Sequence, residues 1–496
     1  MWRVCVTPGE LMPRASMADV AGLAVDWQDW LRQSGLVPGA PFLLSPSFEY
    51  SITLNAFFSS AEMQSKARNT QVGYARDLAA FLTFAFAARG RRDWRDVEES
   101  DHVAYWRWRR MDPAGPRVKG ATWDREVAAA DKFFGWQVDA GTVPVNPVPH
   151  RLRRFMPIYP GRGGRELSET TPATYSHDRQ SEHVRWLPPQ SYRRWRDVGM
   201  RGYTADGMPD PRFRGRWGAR NATFCDLMVR TGLRLSEQAA LTVFEVPLER
   251  GLGGYQRFWL PTAIAKGASA RWVYVPESVI ADLMSYMLVD RAEVIERARD
   301  AGRYERWPAP LIVPDPSKPI ATRTGASMSV RIKVHDLTAE ERRTLLVDGP
   351  NGLEPAAFWL SEFGTPIAVS TWKDLFTTAN KRCQTAGVSL SAHAHLLRHT
   401  FAVVTLEQLQ RGHIAALGEL NVHQRGQWTQ IFGDPLDWVR RRLGHRSVVT
   451  TQIYLHALSE LEMHTRMALV PQDWEDLRRI PIDAIDAPLE RGAVDD

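Results

Sequence analysis

Apolar side chains recur at three- and four-residue intervals in two stretches near the start of the chain. These stretches are Thr70–Phe86, with Tyr74, Leu78, Phe81, Leu82 and Ala85, and Thr122–Val138, with Val127, Ala130, Phe134 and Val138. Such spacing places the apolar side chains on one face of an α-helix. The second stretch ends in a Gly- and Pro-rich segment, 140–147. We therefore predict an all-helical domain of about four helices over residues 48–147.

Beyond residue 186 the chain mixes strand and helix patterns. Two apolar runs, Phe258–Leu260 and Trp272–Val275, flank Lys266-Gly267 and predict a β-hairpin. An insertion at about 285–355 alternates apolar residues over 328–334 and predicts one more strand. Helical patterns follow over 371–382, 395–410, 438–443 and 450–467. The predicted fold class is mainly α with a small β-sheet.

Composition and breakers divide the chain into five segments. We predict an N-terminal appendage (1–47), the helical domain (48–147), a basic linker rich in Pro and Gly (148–185), the mixed α+β domain (186–470) and an acidic tail (471–496). Three distant cysteines among 496 residues argue against a disulfide scaffold. The chain lacks an apolar run long enough for a membrane span or signal peptide, so we expect a cytoplasmic, nucleoid-associated protein with no membrane partner.

Charge is distributed unevenly although the net charge is only +6. Residues 151–220 hold 15 Arg against 7 acidic residues, whereas 471–496 hold 3 basic and 8 acidic residues. Arginines interleaved with aromatic rings are typical of nucleic-acid surfaces. The alternative is a solvated helix face whose rings point into a core. The DNA-binding candidates are Arg107, Arg109, Arg110, Arg151, Arg153, Arg154, Arg193, Arg194, Arg196, Arg212, Arg214 and Arg216.

Two motifs place cations where a phosphate could bind. Arg234 follows Gly232, which can end one helix, and precedes Ser236, which can cap the next. The alternative is an ordinary capping loop. His395 and Arg398 share a helix face, so imidazole and guanidinium could converge on one phosphate. The alternatives are satisfied core histidines or, with His399, half of a metal site. Residue 396 is not Glu, so the zinc-protease pattern fails.

A third motif pairs a Gly-His turn with a tyrosine. Gly444-His445 precedes Tyr454 by nine residues, within a helical pattern. Tyr454 is either a buried core aromatic or a covalent nucleophile whose phenolate is stabilised by nearby cations.

The three motifs, in this order, resemble those of the tyrosine recombinase (phage integrase) family. Thr231–Glu237 is similar to its first arginine motif, His395–Phe401 to its H-x-x-R box, and Leu443–Tyr454 to its closing motif with the nucleophile. Lys266–Arg271 is similar to the family's lysine turn, without the extra basic residue common before the Arg. The helical segment ending at Asn146-Pro147 is similar to the family's core-binding domain.

The resemblance implies a mechanism for the six motif residues. Arg234 and Arg398 would clamp the scissile phosphate, and Tyr454 would attack it to form a 3′-phosphotyrosine bond. Lys266 would protonate the leaving oxygen, and His395 would assist proton transfer on the nucleophile side. In the remaining roles, His445 would hydrogen-bond the phosphate and Glu237 would orient its neighbours. Neither a cofactor nor a metal ion is implied.

The family also implies an architecture. The core-binding domain and the catalytic domain, 186–470, would close as a C-shaped clamp on double-stranded DNA. Protomers, monomeric or dimeric off DNA, would form a tetramer on paired sites, with residues 455–496 packing on a neighbour. DNA-bending or directionality proteins could join them. Such a recombinase would serve integration or transposition. The alternatives are a catalytically silent accessory protein, a type IB topoisomerase and a metal-dependent nuclease.

Overall fold

The chain forms two compact units, Met1–Glu182 and His183–Asp496. The computed structural model describes residues 1–7, 37–152, 170–176, 184–247, 254–308, 310–324, 329–418, 434–447 and 450–458. Each unit has its own apolar core. Among the described residues, no helix has both the length and the apolar character needed to cross a bilayer.

The first unit is helical with two short strand pairs. Its helices are α1 (Ile52–Ser59), α2 (Ala61–Gln64), α3 (Arg68–Ala88), α4 (Glu99–Arg110) and α5 (Gly120–Asp139). Strand β1 (Arg3–Val6) pairs antiparallel with β2 (Pro41–Leu44), and β3 (His150–Leu152) pairs antiparallel with β4 (Thr170–Pro172). The two predicted amphipathic helices are confirmed as α3 and α5, which pack against each other.

Aromatic side chains fill the core between these helices. Phe81 of α3 meets Phe134 of α5 edge-to-face, with ring centroids 6.1 Å apart. A capping box fixes the start of α4. The Glu98 side chain accepts the backbone N–H of Asp101, and the Asp101 side chain accepts the backbone N–H of Glu98. The apolar stripe read from the sequence is therefore the stripe that the bundle buries.

Both segments that flank the helical domain contribute to its core where they are described. Trp2 and Leu43, near the two ends of the predicted appendage, lie in the core of the first unit. Val148 is buried there too, and Tyr175 packs against it, although both belong to the predicted linker. The strand pairs explain the difference, because they fold the ends of each segment back onto the helices. Residues 8–36 of the appendage and residues 153–169 and 177–183 of the linker lie outside the described residues.

The second unit is mostly helical and contains the predicted hairpin. Its helices are α6 (Pro189–Trp195), α7 (Gly218–Thr231), α8 (Leu235–Ala239), α9 (Glu277–Tyr286), α10 (Ala292–Asp300), α11 (Val369–Thr385), α12 (Ala394–Gly418), α13 (Pro435–Leu443) and α14 (450–458). The hairpin pairs β5 (Tyr255–Leu260) with β6 (Arg271–Pro276). The predicted helices are confirmed, and residues 459–467 of the last one lie outside the described residues.

A five-stranded sheet occupies much of the predicted insertion. Its strands are β7 (Leu311–Val313), β8 (Ile320–Thr324), β9 (Ser329–Lys333), β10 (Leu345–Gly349) and β11 (Gly352–Pro355), in the order β11-β10-β7-β8-β9. The predicted strand is confirmed as β9, but the other four were missed because runs of three to five residues carry little periodicity. The fold class, mainly α with small sheets, is confirmed.

A buried arginine attaches this sheet to the helix α8. Arg342, 2% exposed, donates to the carbonyl of Ala240, which caps α8, and forms an ion pair with Glu245 at 2.9 Å. It also donates to the carbonyls of Val334 and Leu337 beside the sheet. The insertion is thus fixed to the end of α8.

Candidate active site

Arg234 stands at the junction between two helices of the second unit. Helix α7 ends at Gly232, whose φ of 66° is readily adopted only by glycine, and Arg234 is the N-cap of α8. The Arg234 N–H donates to Glu237 Oε2 at 3.0 Å, and its guanidinium donates to Oε1 at 2.9 Å. The Arg234 side chain keeps 22% of its surface exposed. It is therefore held in position and still accessible to a ligand.

Glu237 connects three segments around this arginine. It is fully buried and accepts hydrogen bonds from Arg271 Nη2 at 2.6 Å and from the Lys266 N–H at 3.3 Å, besides those from Arg234. Burial alone would raise its pKa, but the hydrogen bonds and charges of Arg271 and Arg234 lower it to about 2. Glu237 is therefore an ionised carboxylate that ties α8 to the hairpin.

Lys266 begins the turn of the hairpin, with its side chain exposed. The turn spans Lys266–Ala268 and places Gly267 at a φ of 67°. Arg271, at the start of β6, holds the base of this turn by donating to the carbonyls of Ser269 and Arg442. Burial is the main cause that lowers the pKa of His395, and the charge of Lys266 contributes to it.

Arg398 of α12 is almost fully buried, at 2% exposure. Its two terminal nitrogens donate to the carbonyl oxygens of Gly232 and Leu443. These carbonyls lie at the C-terminal ends of α7 and α13, where the helix dipole favours a cation. Burial, and then the nearby Arg234, lowers the pKa of Arg398 to about 9. A negatively charged ligand between the two arginines would relieve that repulsion.

Tyr454 lies in α14, 1% exposed, in a small core with Phe401 and Leu443. Burial raises the pKa of its phenol, and the charges of Arg398 and Arg234 partly offset this. Its hydroxyl lies 3.0 Å from Nδ1 of His399. The buried-aromatic alternative correctly describes the ring, while the hydroxyl contacts His399.

Three histidines surround the phenol and the arginines. The rings of His395 and His399 meet edge-to-face at 4.3 Å, and the ring of His445 lies parallel to that of Tyr454 at 6.4 Å. His445 Nδ1 is within 3.0 Å of the Thr451 hydroxyl. Burial is the main reason why the pKa values of His399 and His445 fall to about 4, with Arg398 adding to it. Both imidazoles are neutral at neutral pH.

The structure thus brings the sequence-selected residues into one electrostatic neighbourhood. Arg234 and Arg398 act on the pKa values of Tyr454, His395 and His445. Sequence analysis missed the contacts of Arg271 with Glu237 and of His399 with Tyr454. Their signals were present, since Arg271 ends the lysine turn and His399 directly follows Arg398. Among the described residues, no cluster of His, Cys, Asp and Glu suited to a metal ion occurs.

The predicted DNA-binding arginines fall into different environments. Arg109 pairs with the buried Glu126, and Arg196 pairs with Asp226 at 2.9 Å, so both neutralise carboxylates within their own units. Exposed Arg212 and Arg216 pair with Asp210 and Glu293. Arg110 donates to the Val118 carbonyl, exposed Arg151 lies on β3, and Arg153 and Arg154 lie outside the described residues. Within the described ranges, Arg107, Arg193, Arg194 and Arg214 are exposed and form no ion pair.

The aromatic rings of these clusters mostly serve the core. Tyr192 and Trp195 are buried, and Trp106 and Trp108 pack against the core of the first unit. For these rings the alternative interpretation, a helix face whose aromatics point inward, is correct.

A row of rings and guanidinium groups that the sequence analysis did not single out lies on the outer face of the hairpin. Trp259 and Trp272 are 45% and 41% exposed and meet at 5.3 Å. Arg257 lies 4.5 Å above the Trp272 ring, and Arg442 of α13 lies 3.6 Å above that of Tyr274. Cation–π contacts of this kind stabilise the row.

Comparisons with known proteins show similarity to integrases and tyrosine recombinases. The family model described as "Phage integrase, N-terminal SAM-like domain" matches residues 54–141. Tyrosine recombinase XerC of Roseiflexus sp. is 26% identical over 188 residues, which cover 38% of this chain and 48% of that protein. Tyrosine recombinase XerC of Lactobacillus delbrueckii subsp. bulgaricus is 21% identical over 394 residues, covering 79% and 90%. A solved structure of the Tn1549 transposon integrase with circular intermediate DNA is 12% identical, covers 83% of this chain and 99% of that chain, and has a TM-score of 0.44.

Proposed function

We propose that this chain is a tyrosine recombinase, a site-specific enzyme that cuts and rejoins DNA through a 3′-phosphotyrosine intermediate. The observation that carries the proposal is the placement of the Tyr454 hydroxyl beside His399, within the field of Arg234 and Arg398. A phosphodiester between these two cations would meet both a charge clamp and a nucleophile. We further propose that the reaction serves the integration or transposition of a mobile element.

Four of the motif residues have roles in this mechanism that agree with their positions. Arg234 and Arg398 would bind the non-bridging oxygens, where charge accumulates in the transition state. Lys266, exposed on its turn, can move to protonate the departing 5′ oxygen. His445 would donate to the phosphate from its Nε2, since its Nδ1 faces Thr451. The energy of the broken bond stays in the phosphotyrosine, so no energy-supplying cofactor is needed.

We propose double-stranded DNA as the partner and a tetramer on paired sites as the working assembly. Exposed Arg107, Arg193, Arg194 and Arg214 supply cations for backbone phosphates. Residues 455–496 would pack on a neighbouring protomer. Truncation after Ala468 would then weaken assembly more than single-site binding in a gel-shift titration. Equal loss of both would contradict this role.

The experiment that tests the function starts from the unknown target. The full chain would first select binding sites from random duplex DNA, and the recovered site would then be made with a nick beside the cleavage position. The expected result is a covalent protein–DNA adduct that forms in the presence of EDTA and is absent in Tyr454→Phe. Binding without an adduct would identify a silent accessory protein instead.

Two further outcomes separate the remaining alternatives. Relaxation of any supercoiled plasmid by a monomer would identify a type IB topoisomerase. Cleavage abolished by EDTA would identify a metal-dependent nuclease.

A further inference from the structure

The side chain in contact with the Tyr454 hydroxyl is His399 rather than His395. His399 Nδ1 lies 3.0 Å from the phenolic oxygen, and the ring of His395 meets the ring of His399 edge-to-face at 4.3 Å. The third histidine, His445, directs its Nδ1 to Thr451. We propose that His399 is a catalytic residue that accepts the phenolic proton of Tyr454 when the nucleophile attacks. This inference rests on the proposed function.

The direction of the hydrogen bond follows from the state of the two groups. With a pKa of about 4, the His399 ring is neutral at neutral pH and has one nitrogen free to accept. The phenol, whose pKa burial raises, keeps its proton and needs an acceptor. In the described part of the chain, Nδ1 of His399 is the hydrogen-bond partner of the Tyr454 hydroxyl. The phenol therefore donates to Nδ1, and the ring carries its own proton on Nε2.

The charges around His399 prevent premature proton transfer. Its pKa is lowered first by burial and then by His395, Arg398 and His393. Five titratable or charged groups face His399. His395 and Arg398 lie on the same helix, His393 directly precedes that helix, Tyr454 lies on α14, and His445 follows α13. Without DNA, an imidazolium here would sit unpaired near a guanidinium. Proton transfer from the phenol is unfavourable in that state.

A bound phosphodiester reverses this balance. Its negative charge, held by Arg234 and Arg398, would compensate the guanidinium groups and favour a positive charge on His399. The bond from Tyr454 Oη to phosphorus forms as the bond from phosphorus to the 5′ oxygen breaks. The phenolic proton passes to His399 Nδ1, and the leaving oxygen takes a proton from Lys266. Rejoining returns both protons, so the tyrosine becomes a nucleophile only when DNA occupies the site.

The test compares His399→Gln, His399→Gly and a control, His335→Gln, on the nicked duplex of the selected site. Gln retains a hydrogen-bond acceptor but cannot take up a proton, and His335 is exposed in the turn Val334–Asp336. We expect His399→Gln to slow single-turnover adduct formation by about 100-fold or more, with unchanged DNA affinity. The control should match the unsubstituted chain. The rising limb of the pH–rate profile should disappear in His399→Gln.

Rescue by added imidazole tests the role without relying on a perfectly folded variant. Imidazole should accelerate adduct formation by His399→Gly, and substituted imidazoles of higher pKa should accelerate it more. Adduct formation by His399→Gln within a few-fold of the unsubstituted rate, or no response of His399→Gly to imidazole, would overturn the inference. No adduct with the unsubstituted chain, or an adduct that persists in Tyr454→Phe, would instead overturn the proposed function.

Discussion

The substitution Glu237→Gln tests the negative charge that holds Arg234, Arg271 and the Lys266 turn together. The substitution keeps the size of the side chain and removes its negative charge. Arg271, 6% exposed, would then carry a buried charge without its carboxylate, and Arg234 would lose its ion pair. Gln can still accept one of the hydrogen bonds. The loss is therefore mainly electrostatic.

Two estimates of the stability lost in Glu237→Gln agree. Lowering the pKa of Glu237 from 4.5 to about 2 corresponds to about 3 kcal/mol of stabilisation of the folded chain by the ionised form. Removing one partner of a buried ion pair typically costs about 3–5 kcal/mol. We expect Glu237→Gln to lower the free energy of unfolding of the second unit by about 3 kcal/mol at neutral pH.

The pH dependence gives the prediction its sign. The folded-state pKa is depressed, so the stabilisation is complete above pH 4.5 and is lost as pH falls toward 2. Urea unfolding followed by tryptophan fluorescence would measure both variants across this range, with the exposed Glu296→Gln as control. The difference between Glu237→Gln and the unsubstituted chain should shrink as the pH falls. A difference that is under 1 kcal/mol at neutral pH, or independent of pH, would refute the reasoning.

Three further predictions concern basic side chains, buried and exposed. Arg398→Lys cannot reach both the Gly232 and Leu443 carbonyls, so we expect a lower melting temperature as well as loss of the covalent adduct; an unchanged melting temperature would contradict this. Because Arg107 is exposed, Arg107→Gln should weaken DNA binding and lower its salt dependence by about one released ion without changing stability. Arg109→Gln breaks the ion pair with Glu126 and should therefore destabilise the first unit in thermal unfolding. Burial lowers the pKa of His102 from 6.5 to about 4. The first unit should therefore lose stability as the pH falls from 6.5 to about 4, because the unfolded chain binds a proton that the folded chain does not. Hydrogen exchange would measure this loss, and an equal dependence of stability on pH in His102→Phe would contradict the prediction.

Periodicity was enough to predict several of the helices and the hairpin. Helices α3 and α5 bury the stripes that the sequence displays, and β5 and β6 pair around the predicted turn. The four short strands of the insertion escaped prediction, because runs of three to five residues carry little periodicity and because β10 pairs with β7, a segment distant in sequence. The same holds for Trp2, whose burial depends on the pairing of β1 with β2.

The candidate site was predictable in its residue types but not in its contacts. Motif order singled out Arg234, Arg398 and Tyr454, since each lies in a recognisable local pattern. That Arg271 meets Glu237, 34 positions away, and that His399 meets Tyr454, 55 positions away, depends on how the helices pack. Arginine clusters were the weakest guide, because Arg109 and Arg196 neutralise internal carboxylates. Sequence alone does not separate such residues from cations that face solvent.

The position of Arg398 between the ends of α7 and α13 has a consequence for how descendants of this chain could diverge. A lineage that kept the fold and abandoned strand cleavage could discard the hydroxyl of Tyr454 or the amine of Lys266 with little structural loss, since Phe would fill the same pocket and Lys266 is exposed. Arg398 could not be lost in the same way, because the ends of two helices depend on its hydrogen bonds. An inactive descendant should therefore still carry the arginine, and its loss of activity should be read at position 454 or 266.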